Sequence, residues 1–328
     1  MTQSTDRKLK RFFIKGGKLH PVWRSLLYLP GWLLAAGLGQ LPALMLYGSY
    51  LAAGQADPAA VMGGLLDIAN WPLSVGIGVF LGQVLCLILV TFIFLRFLDR
   101  RPFASFGFGL RRGWWREFGL GLAVGAGMIG GIFLVEWATG LVRLDGLRSD
   151  TELGTTSLLF GLGFLAHFIL QGTSEEIPLR GYLLQTLNEW LGPMGATLLT
   201  AVGFSLLHIF NFRVMSLFNL LALFNIALFG VVAAYAYFVT RRLWLPSALH
   251  AAWNFALGPV VSLPVSGIAY RGLLRTTVSE GGRVFTGGDF GPEGGLLASL
   301  ALLVGWAVIW FWARQRKRES PAKEGGLP

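Results

Sequence analysis

Three runs place ionisable or hydrogen-bonding side chains inside otherwise apolar stretches. They are 171–181, which starts at Gln171 and holds Glu175, Glu176 and Arg180; 204–208, from Phe204 to His208; and 250–254, from His250 to Asn254. An ionisable group in hydrocarbon costs about 2.5–3.5 kcal/mol on insertion scales, so such residues are functional suspects by default. Neighbouring helical residues point about 100° apart, so Glu175 and Glu176 cannot face one small pocket equally. Glu176 and Arg180 are spaced i,i+4 and suit a salt bridge, which leaves Glu175 free to act as a base beside a water. The bland alternative, a neutral cluster that only pins helices together, leaves one carboxylate unbalanced. Phe204 lies one turn before His208 on the same face, and His250 shares a face with Asn254. Glu can take a proton from water, and His can hold that water or bind a metal. His and Asn can also donate hydrogen bonds to the oxyanion of a tetrahedral intermediate. These are the components of peptide hydrolysis by activated water. Glu136 and His167 are two further polar residues in apolar surroundings.

Other intramembrane protease chemistries match less well. None of the four histidines begins a His-Glu-x-x-His, so a standard zincin site is absent. A rhomboid-like serine site requires Gly-x-Ser-Gly, and Gly203-Phe204-Ser205-Leu206 fails at its fourth position, although Ser205 and His250 remain a conceivable pair. An aspartyl site needs two intramembrane Asp residues, and Asp289 lies in a Gly-rich loop without a partner in a span.

The elements that position these residues follow from composition. The chain has 328 residues, 54% hydrophobic and 13% charged, with a mean hydropathy of +0.61. Soluble domains carry about 25% charged residues, so a soluble globule, a disordered chain and a disulfide-stapled module are all excluded. The lone Cys86 cannot form an intrachain disulfide. The composition predicts an all-α polytopic membrane protein. A span needs about 20 mostly apolar residues, and about eight segments qualify: 26–49, 71–97, 118–140, 157–188, 194–211, 216–239, 244–262 and 295–313. The net charge of +10 fits basic loops that set topology and meet anionic lipid, with no nucleic-acid partner. Basic residues cluster in the leader, in the second and sixth connections (Arg100, Arg101, Arg111, Arg112, Arg116; Arg241, Arg242) and in the tail. The first connection has Asp57 and Asp67 and no cation. This parity predicts a multi-pass protein of the cell membrane with both termini cytoplasmic. It divides into a basic leader 1–25, one membrane domain 26–313 and a basic tail 314–328. The leader lacks an obvious cleavage site, so the first span reads as uncleaved. Residues 111–117, with Trp114 and Trp115, read as an interfacial anchor, and 263–294 as a Gly-rich loop on the far side.

The three runs, in this order on three apolar helices, resemble the CPBP family of intramembrane proteases (CAAX prenyl protease and bacteriocin-processing, also called Abi). Its Glu-Glu-x-x-x-Arg motif is matched by Glu175 to Arg180, its Phe-x-x-x-His by Phe204 to His208, and its His-x-x-x-Asn by His250 to Asn254. The resemblance covers about 155–256. It implies a helical bundle enclosing a polar intramembrane cavity that opens to the cytosolic side in CAAX-processing members. Glu175 and His208 would activate water, His250 and Asn254 would form the oxyanion site, and Glu176 and Arg180 would support them. A metal is left open; if one is present, Zn2+ would take Glu175, His208 and His250 as ligands. Pro178 inside the first motif should kink its helix.

The expectation is therefore an intramembrane endopeptidase acting on a peptide or membrane-protein substrate within the lipid bilayer. The alternative is a non-proteolytic bacteriocin-immunity or binding protein that keeps the fold. A transporter is disfavoured because no internal repeat is visible. Since His250 follows shortly after Arg241 and Arg242, the cavity is expected to be reached from the cytoplasmic half.

Overall fold

The computed structural model describes residues 12–54, 57–67, 70–110, 112–212 and 217–319. Long apolar runs with few breakers form helices that satisfy their own backbone groups, which is the requirement of a chain surrounded by lipid. In chain order these are α1 (Pro21–Gly54), α2 (Pro58–Leu66), α3 (Leu73–Ile93), α4 (Trp114–Ala138), α5 (Ser157–Glu176), α6 (Leu184–Leu207), α7 (Leu217–Thr240), α8 (Trp244–Phe255) and α9 (Leu296–Glu319). Six helices among the described residues are long and apolar enough to cross a membrane. One of them runs 62 residues, Asp150–Asn211, far beyond a single crossing. It turns at Gly192 (φ 68°, ψ 177°), immediately before Pro193, a conformation open to glycine and barred to most L-residues. Each of the eight apolar segments read from sequence overlaps one of these helices. However, 244–262 holds only the 12-residue α8, which is not among the six, and 157–188 and 194–211 share the 62-residue run. The structure is thus the all-α polytopic fold expected. Part of the basic leader and the end of the tail lie outside the described residues.

The only sheets among the described residues are two small ribbons. β1 (Ile14–Lys15) pairs with β2 (Lys18–Leu19), and β3 (Val142–Leu147) pairs antiparallel with β4 (Leu274–Val278). The second ribbon lies in the 263–294 stretch and its partner connection, at the end of the bundle remote from the chain termini. Arg148 ties it down by donating from Nη1 to the carbonyls of Gly272 and Leu274, both at 2.7 Å.

The termini end is fixed by buried ions. Arg24 at the start of α1 pairs with Asp99 beyond α3 and with Glu189 on α6. Glu117 at the start of α4 pairs with Arg316 of α9 at 2.8 Å and Arg242 at 3.4 Å. Within 111–117, the stretch read as an interfacial anchor, Trp115 is exposed while Glu117 turns inward. Glu117 is buried because it neutralises two arginines, Arg316 of α9 and Arg242 of the α7–α8 connection, while Arg111 lies outside the described residues.

α8 is the central helix. Residues 245–254 are all buried, packed among α4, α5 and α7. Small residues allow that depth: a Cβ on Gly121 would lie 2.5 Å from the Leu245 carbonyl oxygen, and one on Gly125 would lie 3.0 Å from Ala252 Cβ. With Ala248 and Ala252 opposite, this is a small-xxx-small contact of the kind that drives helix association in lipid.

Candidate active site

The first motif lies where α5 changes winding. Residues Ile177–Leu183 form a π-helical segment joining α5 to α6. Pro178 has no amide hydrogen to give to an α-helical ladder, and the π turn absorbs that gap. Single-turn π segments of this kind are frequent at functional sites. The expected kink at Pro178 takes this form.

The two neighbouring carboxylates separate as their spacing requires. Glu176 and Arg180 are fully buried and joined at 2.9 Å, and Arg180 Nη2 also donates to the Gly230 carbonyl at 3.0 Å. Glu176 Oε1 accepts a second bond from His250 Nδ1 at 3.0 Å. Because a carboxylate beside a guanidinium accepts, Nδ1 carries a proton, and His250 presents Nε2 to the other side. There it lies 3.6 Å from Glu175 Oε2, too far for a direct hydrogen bond. Glu175 keeps 28% of its side-chain surface and lines the cavity; its Oε1 accepts from Gln171 Nε2, and its Oε2 is buried without a hydrogen-bond partner.

His208 ends α6. Its Nδ1 donates to the Phe204 carbonyl at 2.9 Å, so Nε2 is left for the cavity. The Phe204 ring stands edge-on to both His208 (centroids 4.7 Å apart) and His250 (6.0 Å), with the Arg180 guanidinium 5.3 Å from its centroid. That aromatic residue fixes the two imidazoles and the ion pair relative to one another. Asn254 Nδ2 donates to Gln171 Oε1 at 2.8 Å, and an amide NH2 has a second hydrogen to offer. Gly172 brings α5 against α8 at this level; a Cβ there would lie 3.2 Å from His250 Cβ.

Glu175, His208, His250 and Asn254 line one cavity of about 600 Å3, while Glu176 and Arg180 stand behind it. His167 also lines it, edge-on to Phe80 and Phe168, eight residues along α5 from Glu175. Glu136 is buried without a hydrogen-bond partner and does not join the group. Ser205 is committed elsewhere, donating to the Leu223 carbonyl at 2.6 Å, which removes the serine alternative. Among the described residues no three His, Cys, Asp or Glu side chains converge closely enough to hold a metal ion; Glu175, His208 and His250 are not a preassembled ligand set.

Sequence reasoning missed Glu293. It arrives from the loop before α9, where its Oε1 accepts from the Trp253 indole at 3.1 Å and its Oε2 from Ser266 N and Oγ at 2.5 and 3.1 Å. It lines the same cavity. The available signal was a Trp inside the third motif, whose buried indole N–H needs an acceptor.

The lining of the cavity also bears on the expected side of access. That lining includes Trp71, Thr155, Asn211, Ile268 and Arg271, on connections at the end away from Arg241, Arg242 and the chain termini. His250 is near those arginines in sequence, but α8 starts inside the bundle rather than at its surface, so proximity along the chain does not give access from that end.

No curated protein and no solved structure matches the chain. Residues 156–256, from the cap of α5 to the end of α8, match the family model described as Type II CAAX prenyl endopeptidase Rce1-like, consistent with the CPBP family of intramembrane proteases that the three motifs resemble.

Proposed function

We propose that the cavity is the active site of an intramembrane endopeptidase that hydrolyses peptide bonds with a water activated by Glu175. The observation that carries this reading is the unequal treatment of two adjacent carboxylates. Glu176 is fully buried, neutralised by Arg180 and bonded to His250, whereas Glu175 keeps 28% of its side-chain surface and lines the cavity. In the proposed reaction a water held by Glu175 and His208 Nε2 gives a proton to Glu175 as its oxygen attacks the scissile carbonyl carbon. The resulting oxyanion accepts hydrogen bonds from Nε2–H of protonated His250 and from the second Nδ2 hydrogen of Asn254. Glu176 beside Nδ1 stabilises that imidazolium. Glu175 then delivers its proton to the departing amine, the C–N bond breaks, and the acid and amine products leave. Glu176 and Arg180 are positioning residues.

The test is cleavage of a quenched peptide library by purified protein, comparing wild type with Glu175→Gln. This change keeps the side-chain shape, so folding should persist and cleavage should vanish. Full activity in Glu175→Gln would remove the base assignment. A wild type that cleaves nothing would favour the binding or immunity reading instead.

A further inference from the structure

All residues lining the cavity come from the half of the bundle remote from the chain termini. α1 contributes Gln40, α3 only residues from Leu73 to Gln83, and α9 Leu302. Among the described residues, none of the lining belongs to 84–151, 176–203 or 230–249. The opposite end is shut. Leu243 N donates to the Gly107 carbonyl at 2.9 Å, and the Trp244 indole donates to that of Gly109 at 3.2 Å. The Phe108 and Trp114 rings pack on Trp244 at 4.9 and 4.7 Å. Phe106 and Leu243 fill the space under the first motif, so close that a Cβ on Gly181 would lie 3.2–3.3 Å from both. Aromatic and leucine side chains thus seal the connection 99–113 beneath the site.

Charge divides the same way. The sealed end carries Arg100, Arg101, Arg112, Arg241 and Arg242 together with the basic leader and tail, while the connections at the open end set six arginines against eight Asp and Glu and hold no lysine. Short loops rich in Lys and Arg stay in the cytoplasm. We infer that the cavity opens to the extracytoplasmic face and that its substrates are polypeptide segments on that side, taken in unfolded at the outer leaflet. A cavity of about 600 Å3 is of the size that encloses a drug-sized ligand, so it takes a short extended stretch and not a folded domain. This direction is opposite to the one implied by resemblance to CAAX-processing proteases. The substrate class rests on the hydrolytic reading above; the side of access does not.

The test separates the two. In a Cys86→Ala background, Thr155→Cys and Ile268→Cys report the mouth and Arg112→Cys the sealed end. A membrane-impermeant maleimide should label the first two in intact cells expressing the protein and Arg112→Cys only in inverted vesicles. An impermeant quenched peptide added outside the cells should be cut when wild type is expressed and not when Glu175→Gln is. Mouth cysteines labelled only in inverted vesicles, together with Arg112→Cys, would overturn the assigned side. Outward labelling without cleavage would overturn the substrate class and the hydrolytic reading beneath it, leaving the side of access standing.

Discussion

Gly125→Ala tests whether helix spacing holds the site together. A Cβ at this position would lie 3.0 Å from both Ala252 Cβ and Trp253 N, and closer still to the Leu249 carbonyl oxygen. Favourable carbon contacts begin near 3.5 Å, so α8 must retreat from α4 by about 0.5–1 Å. His250 is the next residue after Leu249, and Asn254 lies one turn further. A displacement of about 1 Å in a catalytic group costs on the order of 10²-fold in rate. The expected outcome is a fall of about 10–100-fold in kcat/KM, with about 1–3 kcal/mol of stability lost to overpacking. Gly127→Ala is the control: the same helix and the same added methyl, but nothing lies within 4 Å of the new carbon. It should match wild type in turnover and hold or gain up to about 1 kcal/mol from helix propensity. The assay pairs peptide cleavage with thermal unfolding of both variants in one detergent. If Gly125→Ala behaves like Gly127→Ala in both measurements, the close approach of α4 and α8 does not position the site.

Arg180→Ala should lower stability by about 3–5 kcal/mol, because it strands the buried Glu176 carboxylate; thermal unfolding in detergent reads this directly. Asn254→Ala should reduce kcat by about 10²–10³, the usual effect of removing one oxyanion donor, with KM little changed in steady-state kinetics. A strong chelator should leave wild-type turnover unchanged, since no ligand set is preassembled among the described side chains; lost activity restored by Zn2+ would assign Glu175, His208 and His250 as ligands.

Local geometry explains which parts of the site could be read in advance. The pairing of Glu176 with Arg180 depends only on i,i+4 spacing, and the structure contains it at 2.9 Å. The disturbance at Pro178 depends only on a missing amide hydrogen. Contacts set by tertiary packing were harder to read. His208 lies about 22 Å along its helix from Pro193, and His250 about 9 Å along α8, taking 1.5 Å per residue. The mismatch disappears once α8 is seen to begin inside the bundle, capped by the Gly107 and Gly109 carbonyls. Glu293 and Glu117 belong to no periodic pattern; each is placed by groups distant in sequence, Trp253 and Ser266 for one, Arg242 and Arg316 for the other. The direction of the cavity depends on which connection folds inward, a packing property that charge counting does not encode.

The burial of α8 also bears on how the protein is made. This helix has 12 residues, ten of them buried in succession, and it carries His250 and Asn254. It is too short and too polar to partition stably into lipid alone. Its stability in the bilayer comes from the grooves of α4 and α5, both synthesised before it. Insertion during translation must therefore present α8 to a half-built bundle, and Arg242 just before it pairs with Glu117 of the α4 already in place. Chains stopped after α7 would leave those grooves unfilled and exposed within the membrane, a form that quality-control proteases can distinguish from the finished fold.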